Sequence, residues 1–353
     1  LNGSVENDPT ALLVVKRKPT SLGNLTLSIN IIRDGEMQGQ LYDPKFEKIS
    51  GALVLGNAEE PDFVDGSAEE ARFSNPGGIA LLPDGTGYVA DTGNHRIRIV
   101  TEGGSLVSTI AGTGEIGEDD GAGIEASFDS PEGLALDKDG NLYIADTGNG
   151  TIRRMTADGV VSTYAGAAGE IGSANGQRLV ARFNQPCGLC FDPAGNLYVI
   201  DRGNHNIRKI TPTGTVSTLA GKSGVPGHKD ASGISALFRS PHGIVYEPVL
   251  KALFVTDTQN FVIRKITLTG AVSTYAGSVG VQSGADGLRA NSRWFNPTGI
   301  TTRGDGTLLV GDGAICQINP SGIVSTVSEP LEQEVGNNGN PVALAYLSDD
   351  GSL

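Results

Sequence analysis

The stretch that decides the fold is SPEGLALDKDGNLYIADTGNGTIRRM, residues 130 to 155. Its apolar residues fall in short runs with a period of two, as a half-buried or sandwiched β-strand requires. Asp139-Gly140 separates two of these runs and Asp158-Gly159 follows the third, and Asp-Gly is a typical hairpin turn. We therefore predict four antiparallel strands in this copy, over residues 133–136, 141–145, 151–155 and 160–165.

The same pattern recurs along the chain with almost no drift. Each copy opens with a proline followed by x-Gly and an apolar residue, and the spacings between prolines are 55, 55, 55 and 56 residues, at Pro76, Pro131, Pro186, Pro241 and Pro297. The extra residue of the fourth copy falls in a turn over residues 247–252. Eleven residues before each proline stands an acidic residue or an asparagine, and three before it an aromatic residue: Asp65, Asp120, Asn175, Asp230 and Asp286, with Phe73, Phe128, Phe183, Phe238 and Trp294. A constant period of this kind indicates a repeat architecture.

Four short strands that are apolar on both faces must be buried between neighbouring copies, which predicts a closed ring. We expect an all-β, six-bladed β-propeller of four-stranded antiparallel blades, forming a single domain over residues 1–353. Five clear blades cover residues 57–327, a degenerate first blade covers 9–56, and residues 341–353 supply a ring-closing strand. Seven blades stay open as an alternative, if the C-terminal segment starts a blade of its own.

The local segments resemble the NHL repeat over about residues 60 to 327. They are Pro-x-Gly-Ile/Leu, Asp-Gly-Asn-Leu-Tyr-Ile/Val-x-Asp, and the Asp-x-Gly-Asn-x-x-Ile-Arg stretches at 91–98, 146–153 and 201–208. The resemblance implies a β-propeller. It does not select a function, because the family spans scaffolds, receptors and a few enzymes.

Charge and composition narrow the choice of partners. With 26 Lys+Arg against 40 Asp+Glu the net charge is -14, which repels phosphate backbones and argues against nucleic acid. No apolar stretch reaches the 18 residues of a membrane helix, so we expect no membrane insertion. Three cysteines do not make a disulfide framework. Three N-x-S/T sequons permit secretion, at Asn2, Asn24 and Asn149. We expect a monomer in an extracellular or periplasmic location, with a cytoplasmic one left open.

Most repeated polar residues have a structural interpretation. An aspartate ending the second strand and an arginine seven residues later recur in four copies, which favours a scaffold ion pair: Asp91 with Arg98, Asp146 with Arg153, Asp201 with Arg208, and Asp257 with Arg264. The glycine and asparagine of Asp-x-Gly-Asn fit a tight turn with positive φ and side-chain capping, and His95 and His205 occupy the same turn. The acidic loop residues near Glu115 do not have the ligand spacing of a calcium hand.

A candidate site lies at a position whose residue differs from copy to copy although the surrounding repeat pattern is constant. The residue after each proline starts the first strand at the mouth of the central channel, which gives Gly77, Glu132, Cys187, His242 and Thr298, with Val342 or Thr10 as the sixth. We predict these residues as a channel-mouth binding site, and a water-filled channel lining is the alternative. We assign no catalytic residue, no metal ligand and no cofactor.

Enzymatic alternatives centre on the same ring. The chain resembles peptide-amidating lyase propellers, whose zinc-binding histidines follow the proline in three blades, but here only His242 does so. Gluconolactonase-like propellers use channel carboxylates around a divalent cation, and Glu132 is the only carboxylate of this ring. Cys187 and Cys190 are three apart on one strand and face opposite sides, and a Cys187–His242 pair would lack an orienting third group.

The connections between copies are long, such as the 19 residues from Gly112 to Pro131, and are expected to form one broad acidic face. We therefore predict a non-catalytic binding scaffold that presents this loop face to a protein, peptide or glycan partner. The alternative is a metal-dependent lyase or hydrolase that acts at the channel mouth.

Overall fold

The computed structural model describes the backbone of residues 11–19, 25–33, 63–67, 70–101, 106–327 and 343–347, with side chains in the ranges between 63 and 327. Two strands, β1 (Ala11–Pro19) and β2 (Leu25–Arg33), form an antiparallel hairpin near the N-terminus. Five antiparallel sheets follow in order along the chain, and each is one blade.

The strands of the blades have the following bounds. Blade one has β3 (Gly66–Ser67), β4 (Ile79–Leu81), β5 (Gly87–Asp91), β6 (Arg96–Val100) and β7 (Leu106–Ala111). Blade two has β8 (Gly121–Ala122), β9 (Pro131–Leu136), β10 (Leu142–Asp146), β11 (Thr151–Met155) and β12 (Val160–Ala165). Blade three has β13 (Gly176–Gln177), β14 (Pro186–Phe191), β15 (Leu197–Asp201), β16 (Asn206–Ile210) and β17 (Thr215–Ala220). Blade four has β18 (Ile244–Glu247), β19 (Ala252–Asp257), β20 (Val262–Thr267) and β21 (Val272–Ala276). Blade five has β22 (Gly287–Leu288), β23 (Ile300–Thr302), β24 (Leu308–Gly311), β25 (Ile315–Ile318) and β26 (Ile323–Thr326).

The four strands predicted for the second copy are confirmed. They are β9 to β12, whose bounds differ from the predicted ones by at most two residues. The glycines of the two Asp-Gly turns have φ of 78° and 81°, which is the left-handed region that a hairpin turn requires. Four blades carry a fifth strand of two residues on the outer edge, which the sequence pattern does not indicate. This strand comes from the loop that leads into the blade, and it shortens the exposed sheet edge.

The core lies between the blades. One cluster packs Ala80, Ala90 and Ile97 of blade one against Ile144 and Met155 of blade two. Equivalent clusters join blades two and three, three and four, and four and five. No blade buries both of its faces alone, which is why the copies fold side by side around an axis.

The prediction of six or seven blades is wrong, because the structure has five. The chain ends do come together, since β27 (Ala343–Leu347) pairs with β1 and lies beside β4 and β23. Among the described residues, the sheet they form has three strands, in the order β2-β1-β27, where a blade has four or five. The parts of 9–56 and 341–353 outside β1, β2 and β27 lie beyond the described residues.

The predicted scaffold ion pairs are present in four blades. In blade two, Arg153 is buried and donates to Asp146 at 3.1 Å and to Asp120 at 2.7 Å. Its guanidinium also lies 5.3 Å from the centre of the Phe128 ring. The acidic residue, the aromatic residue and the aspartate of the repeat thus all surround one arginine. The same arrangement holds around Arg98 and Arg264, and around Arg208 with Asn175 in place of the acidic residue.

Blade five departs from this arrangement. The strand register places Cys316 opposite Val310, where Arg98 of blade one is opposite Val89. The turn after Asp312 is three residues shorter than the one after Asp91, so the arginine and its turn are lost together. Asp312 accepts hydrogen bonds from the backbone N–H groups of Phe295 and Asn296, and burial raises its pKa.

The Asp-x-Gly-Asn turn is held by side-chain hydrogen bonds, as predicted. Asn149 donates to the carboxylate of Asp146 at 2.8 Å and to the carbonyl of Gly117 at 2.7 Å. Positive φ occurs one residue after the asparagine, at His95 (φ 53°) and His205 (φ 56°), rather than at the glycine or asparagine. Each of these histidines accepts a hydrogen bond from a backbone N–H group through Nδ1, from Ser130 at 3.0 Å and from Ser240 at 3.2 Å. Their role in the turn is structural.

Candidate binding site at the channel mouth

The first strands of the five blades surround a cavity on the axis. It has a volume of about 540 Å³, counting its solvent-open mouth. Four of the five predicted site residues line it: Gly77, Glu132, Cys187 and His242. Thr298 is buried beside the lining residue Gly299. The two suggested sixth members, Thr10 and Val342, lie outside the described residues.

The rest of the wall is apolar or glycine. One aliphatic side chain from each blade lines the cavity: Ile79, Leu134, Leu189, Ile244 and Ile300. The glycines allow the first strands to approach each other, because a Cβ on Gly133 would collide with the carbonyl oxygen of Cys187. A largely apolar wall with a few polar groups is the usual composition of a small-molecule pocket.

The polar groups concentrate on one side of the mouth. Glu132 forms a bidentate ion pair with Arg202, with Oε2 2.8 Å from one terminal nitrogen and Oε1 2.9 Å from the other. The two side chains come from blades two and three, and they are 18% and 23% exposed. Glu132 is therefore already neutralised by a cation, which argues against its use as a metal ligand.

Arg202 is the site residue that the sequence reasoning missed. It occupies the second position of the Asp-x-Gly-Asn turn, where three other blades have Thr92, Thr147 and Thr258. Each threonine hydroxyl donates to the opening proline carbonyl of the next blade at 2.6–2.7 Å. In blade three the arginine turns in the other direction, to Glu132 of the preceding blade. Aligning the copies at this position would have shown the exception.

Cys187 is not a nucleophile in this structure. Its sulfur lies 3.6 Å from the backbone carbonyl of His242 and 3.9 Å from that of Pro241. Burial raises the pKa of the thiol to about 12, so it is protonated at neutral pH. Cys190 and Cys316 are also buried thiols, and burial raises the pKa of each. No thiolate is available for a Cys187–His242 pair.

Metal-binding side chains are not clustered among the described residues of the mouth. Within the part of the chain that the structure describes, no three His, Cys, Asp or Glu side chains are grouped so that they could hold an ion. In the acidic loop, Asp119 accepts from the Ser127 hydroxyl and Asp120 binds Arg153.

No helix among the described residues is long and apolar enough to cross a membrane.

Comparison with known proteins agrees with this architecture. The family model of the NHL repeat matches residues 73–100, 128–155 and 183–210. NHL repeat-containing protein 2 of Bos taurus is 28% identical over 282 residues, which cover 70% of this chain and 39% of the relative. Protein SUPPRESSOR OF QUENCHING 1, chloroplastic, of Arabidopsis thaliana is 29% identical over 278 residues, which cover 74% of this chain and 26% of the relative. The chain thus spans well under half the length of these two relatives.

One solved structure extends the comparison in three dimensions. A structural genomics protein of unknown function from Bacteroides thetaiotaomicron superposes with a TM-score of 0.60 at 17% identity, over 96% of this chain and 83% of the other. The likeness concerns the fold. Together, the blades and the axial cavity define a repeat β-propeller. The three matched repeats and the NHL repeat-containing relatives support the resemblance of the chain to NHL-repeat β-propellers.

Proposed function

We propose that the protein is a non-catalytic binding scaffold whose long-loop face binds a protein partner. The supporting observation is an exposed branched aliphatic side chain in each of four consecutive long loops, at one position in the first two loops and one residue earlier in the last two. These side chains are 66%, 61%, 36% and 38% exposed and belong to Ile116, Ile171, Val225 and Val281. Packing within the blades does not require them, and apolar side chains in the buried centre of an interface are a common source of affinity.

All four loops lie on the face that carries the channel mouth. The carbonyl of Gly117, next to Ile116, accepts from Asn149 in the turn that ends β10, and the carbonyl of Gly172 accepts from Asn204 in the next blade. These turns and the opening prolines are at the same end of the blades, since Asp146 pairs with Pro131. The ring of Arg-centred blades holds this face rigid, which favours recognition by the loops.

The acidic charge is concentrated in one sector of the face. The loop over residues 112–130 has six acidic residues and no Lys or Arg: Glu115, Glu118, Asp119, Asp120, Glu125 and Asp129. In each of the loops over 166–185, 221–240 and 277–296, Lys and Arg outnumber Asp and Glu. A partner that combines apolar side chains with a basic segment over the first loop would match this distribution.

The test is affinity capture from an extract of the source organism with immobilised protein. We expect a retained protein to be lost with the double variant Ile116→Ser/Ile171→Ser. The matched control is Leu106→Ser/Val160→Ser, on the outer strands, where the side chains are 46% and 49% exposed. Equal retention by wild type and both variants, with equal melting temperatures, would refute a binding role for the long-loop face.

Two further expectations stay part of the proposal. The net charge of -14 supports a partner other than nucleic acid. A location outside the cytoplasm is also a proposal, and glycosylation at Asn149 does not support it. That side chain is engaged in the hydrogen bonds of its turn, which an attached glycan would disrupt.

A further inference from the structure

The repeat breaks its own pattern at the channel mouth in blade three. Three blades use a threonine hydroxyl to bind the opening proline of the next blade, and blade three replaces it with Arg202. The threonine donor to the opening proline is absent there, where Cys187 Sγ lies 3.9 Å from the Pro241 carbonyl, and an ion pair with Glu132 is gained. A place where one copy departs from an otherwise uniform scaffold is where function is expected.

The pair has unused binding capacity. Arg202 has five N–H donors, and the contacts to Glu132 use one on each terminal nitrogen. No other side chain or carbonyl among the described residues accepts a hydrogen bond from this guanidinium. Glu132 lines the cavity, and both side chains of the pair are partly exposed. A ligand can therefore reach an anion-binding group and a cation-binding group a few ångströms apart.

We propose that the channel mouth binds a small zwitterion with an apolar side chain, an α-amino acid, by inserting its charges between Glu132 and Arg202. The ligand carboxylate binds Arg202 in the bidentate manner that guanidinium groups favour, and the ligand ammonium binds Glu132. Both protein charges keep a partner of opposite sign. A carboxylate without an ammonium would instead displace Glu132 and leave it unpaired at a partly buried site.

The wall of the cavity determines which ligand side chain can bind. Leu134, Leu189 and Ile244 line the same cavity as Glu132, so an aliphatic or aromatic group entering it exchanges water for an apolar surface. The neutral thiol of Cys187 adds a weakly polar surface without a charge.

This site goes beyond the proposed scaffold role and uses none of the residues on which that role rests. The experiment is calorimetric titration of the purified chain at low ionic strength with L-leucine, L-isoleucine and L-phenylalanine into the millimolar range. The fragments 4-methylpentanoate and 3-methylbutylamine retain the leucine side chain with only one charge each. We expect at least one amino acid to bind, and each fragment to bind about tenfold more weakly or worse.

Arg202→Thr is the decisive variant, because it restores the residue that three other blades already use. We expect it to keep the wild-type melting temperature within a few degrees and to lose at least about tenfold in affinity. Glu132→Gln, which retains the shape of the side chain, is expected to lose affinity for the ammonium in the same way. The proposal is overturned if none of the three amino acids binds, if Arg202→Thr and Glu132→Gln bind as wild type does, or if 4-methylpentanoate binds as tightly as leucine.

Discussion

Replacing Arg153 by methionine tests whether the repeated arginine is what holds a blade together. Methionine is unbranched and fills much of the same volume, so the main change is the loss of charge and hydrogen bonds. Arg153 donates to Asp146, Asp120 and the carbonyls of Ser127 and Asp119 at 2.7–3.1 Å. Removing one member of a buried ion pair costs about 3–5 kcal/mol, because the other charge stays buried without its partner. We expect this loss in the free energy of unfolding at pH 8.

The pH dependence separates the charge effect from simple loss of packing. Burial raises the pKa of Asp146 to about 6, above its ordinary value of 3.8. Between these values the folded protein binds more protons than the unfolded chain, so this group makes stability fall as pH rises. Without Arg153 the folded pKa rises further. The loss caused by Arg153→Met should therefore be smaller at pH 5 than at pH 8, and the added substitution Asp146→Asn should recover part of it.

Urea unfolding monitored by circular dichroism at the two pH values is the assay. The control is Lys138→Met, which removes an exposed ion pair with Asp139 in the same blade and should leave the unfolding midpoint unchanged. If Arg153→Met is no less stable than this control at pH 8, or if its loss is the same at both pH values, the assignment of the arginine as a charged centre of the blade is wrong.

Three other substitutions or treatments probe the same structure. Asp312→Asn should destabilise the protein less than Asp146→Asn at pH 8. Asp312 is a buried charge without an arginine partner among the described residues, whereas Asp146→Asn leaves the buried Arg153 without its aspartate. Urea unfolding would contradict this expectation if Asp312→Asn were the more destabilising variant. Ellman's reagent should not react rapidly at neutral pH with Cys187, whose pKa is raised to about 12, but it should react after unfolding. Rapid labelling of the native protein would count against a closely packed cavity wall around this thiol. Gly133→Ala should lower the unfolding free energy by about 3 kcal/mol, because the new Cβ would collide with the first strand of the neighbouring blade. Gly284→Ala, whose Cβ meets nothing within 4 Å, should have little effect. Equal melting temperatures of the two variants would disprove the close packing at the axis.

The strands, ion pair and turn of a blade could be predicted from the sequence because these features recur from copy to copy. Strands over 151–155 and 160–165, the ion pair of Asp146 with Arg153, and the turn at Asn149 all follow from period-two patterns, Asp-Gly turns and constant spacing. Four of five channel-mouth residues were placed at the cavity for the same reason.

The features that the sequence did not reveal are those that occur once or depend on contacts between copies. The pairing of Arg202 with Glu132 spans two blades and 70 residues, and no local pattern reports such a contact. The number of blades depended on two terminal segments in which the proline, the turn and the strand signals are incomplete. Their described residues form three strands, where the repeat forms four or five. The loss of the arginine in blade five was visible only once the register had aligned Cys316 with Arg98.

The pairing of β1 with β27 also has a consequence for synthesis. Ala11 lies opposite Leu347, so this contact forms only after residue 347 has left the ribosome, long after the first strand has emerged. The five blades can assemble one after another while they emerge, as local four-stranded units with short connections. Pairing β1 with β27 joins strands that are far apart in the sequence, so its loop-closure entropy is large and it should be a slow step of refolding. Until it occurs, β4 and β23 lack their contacts with β27.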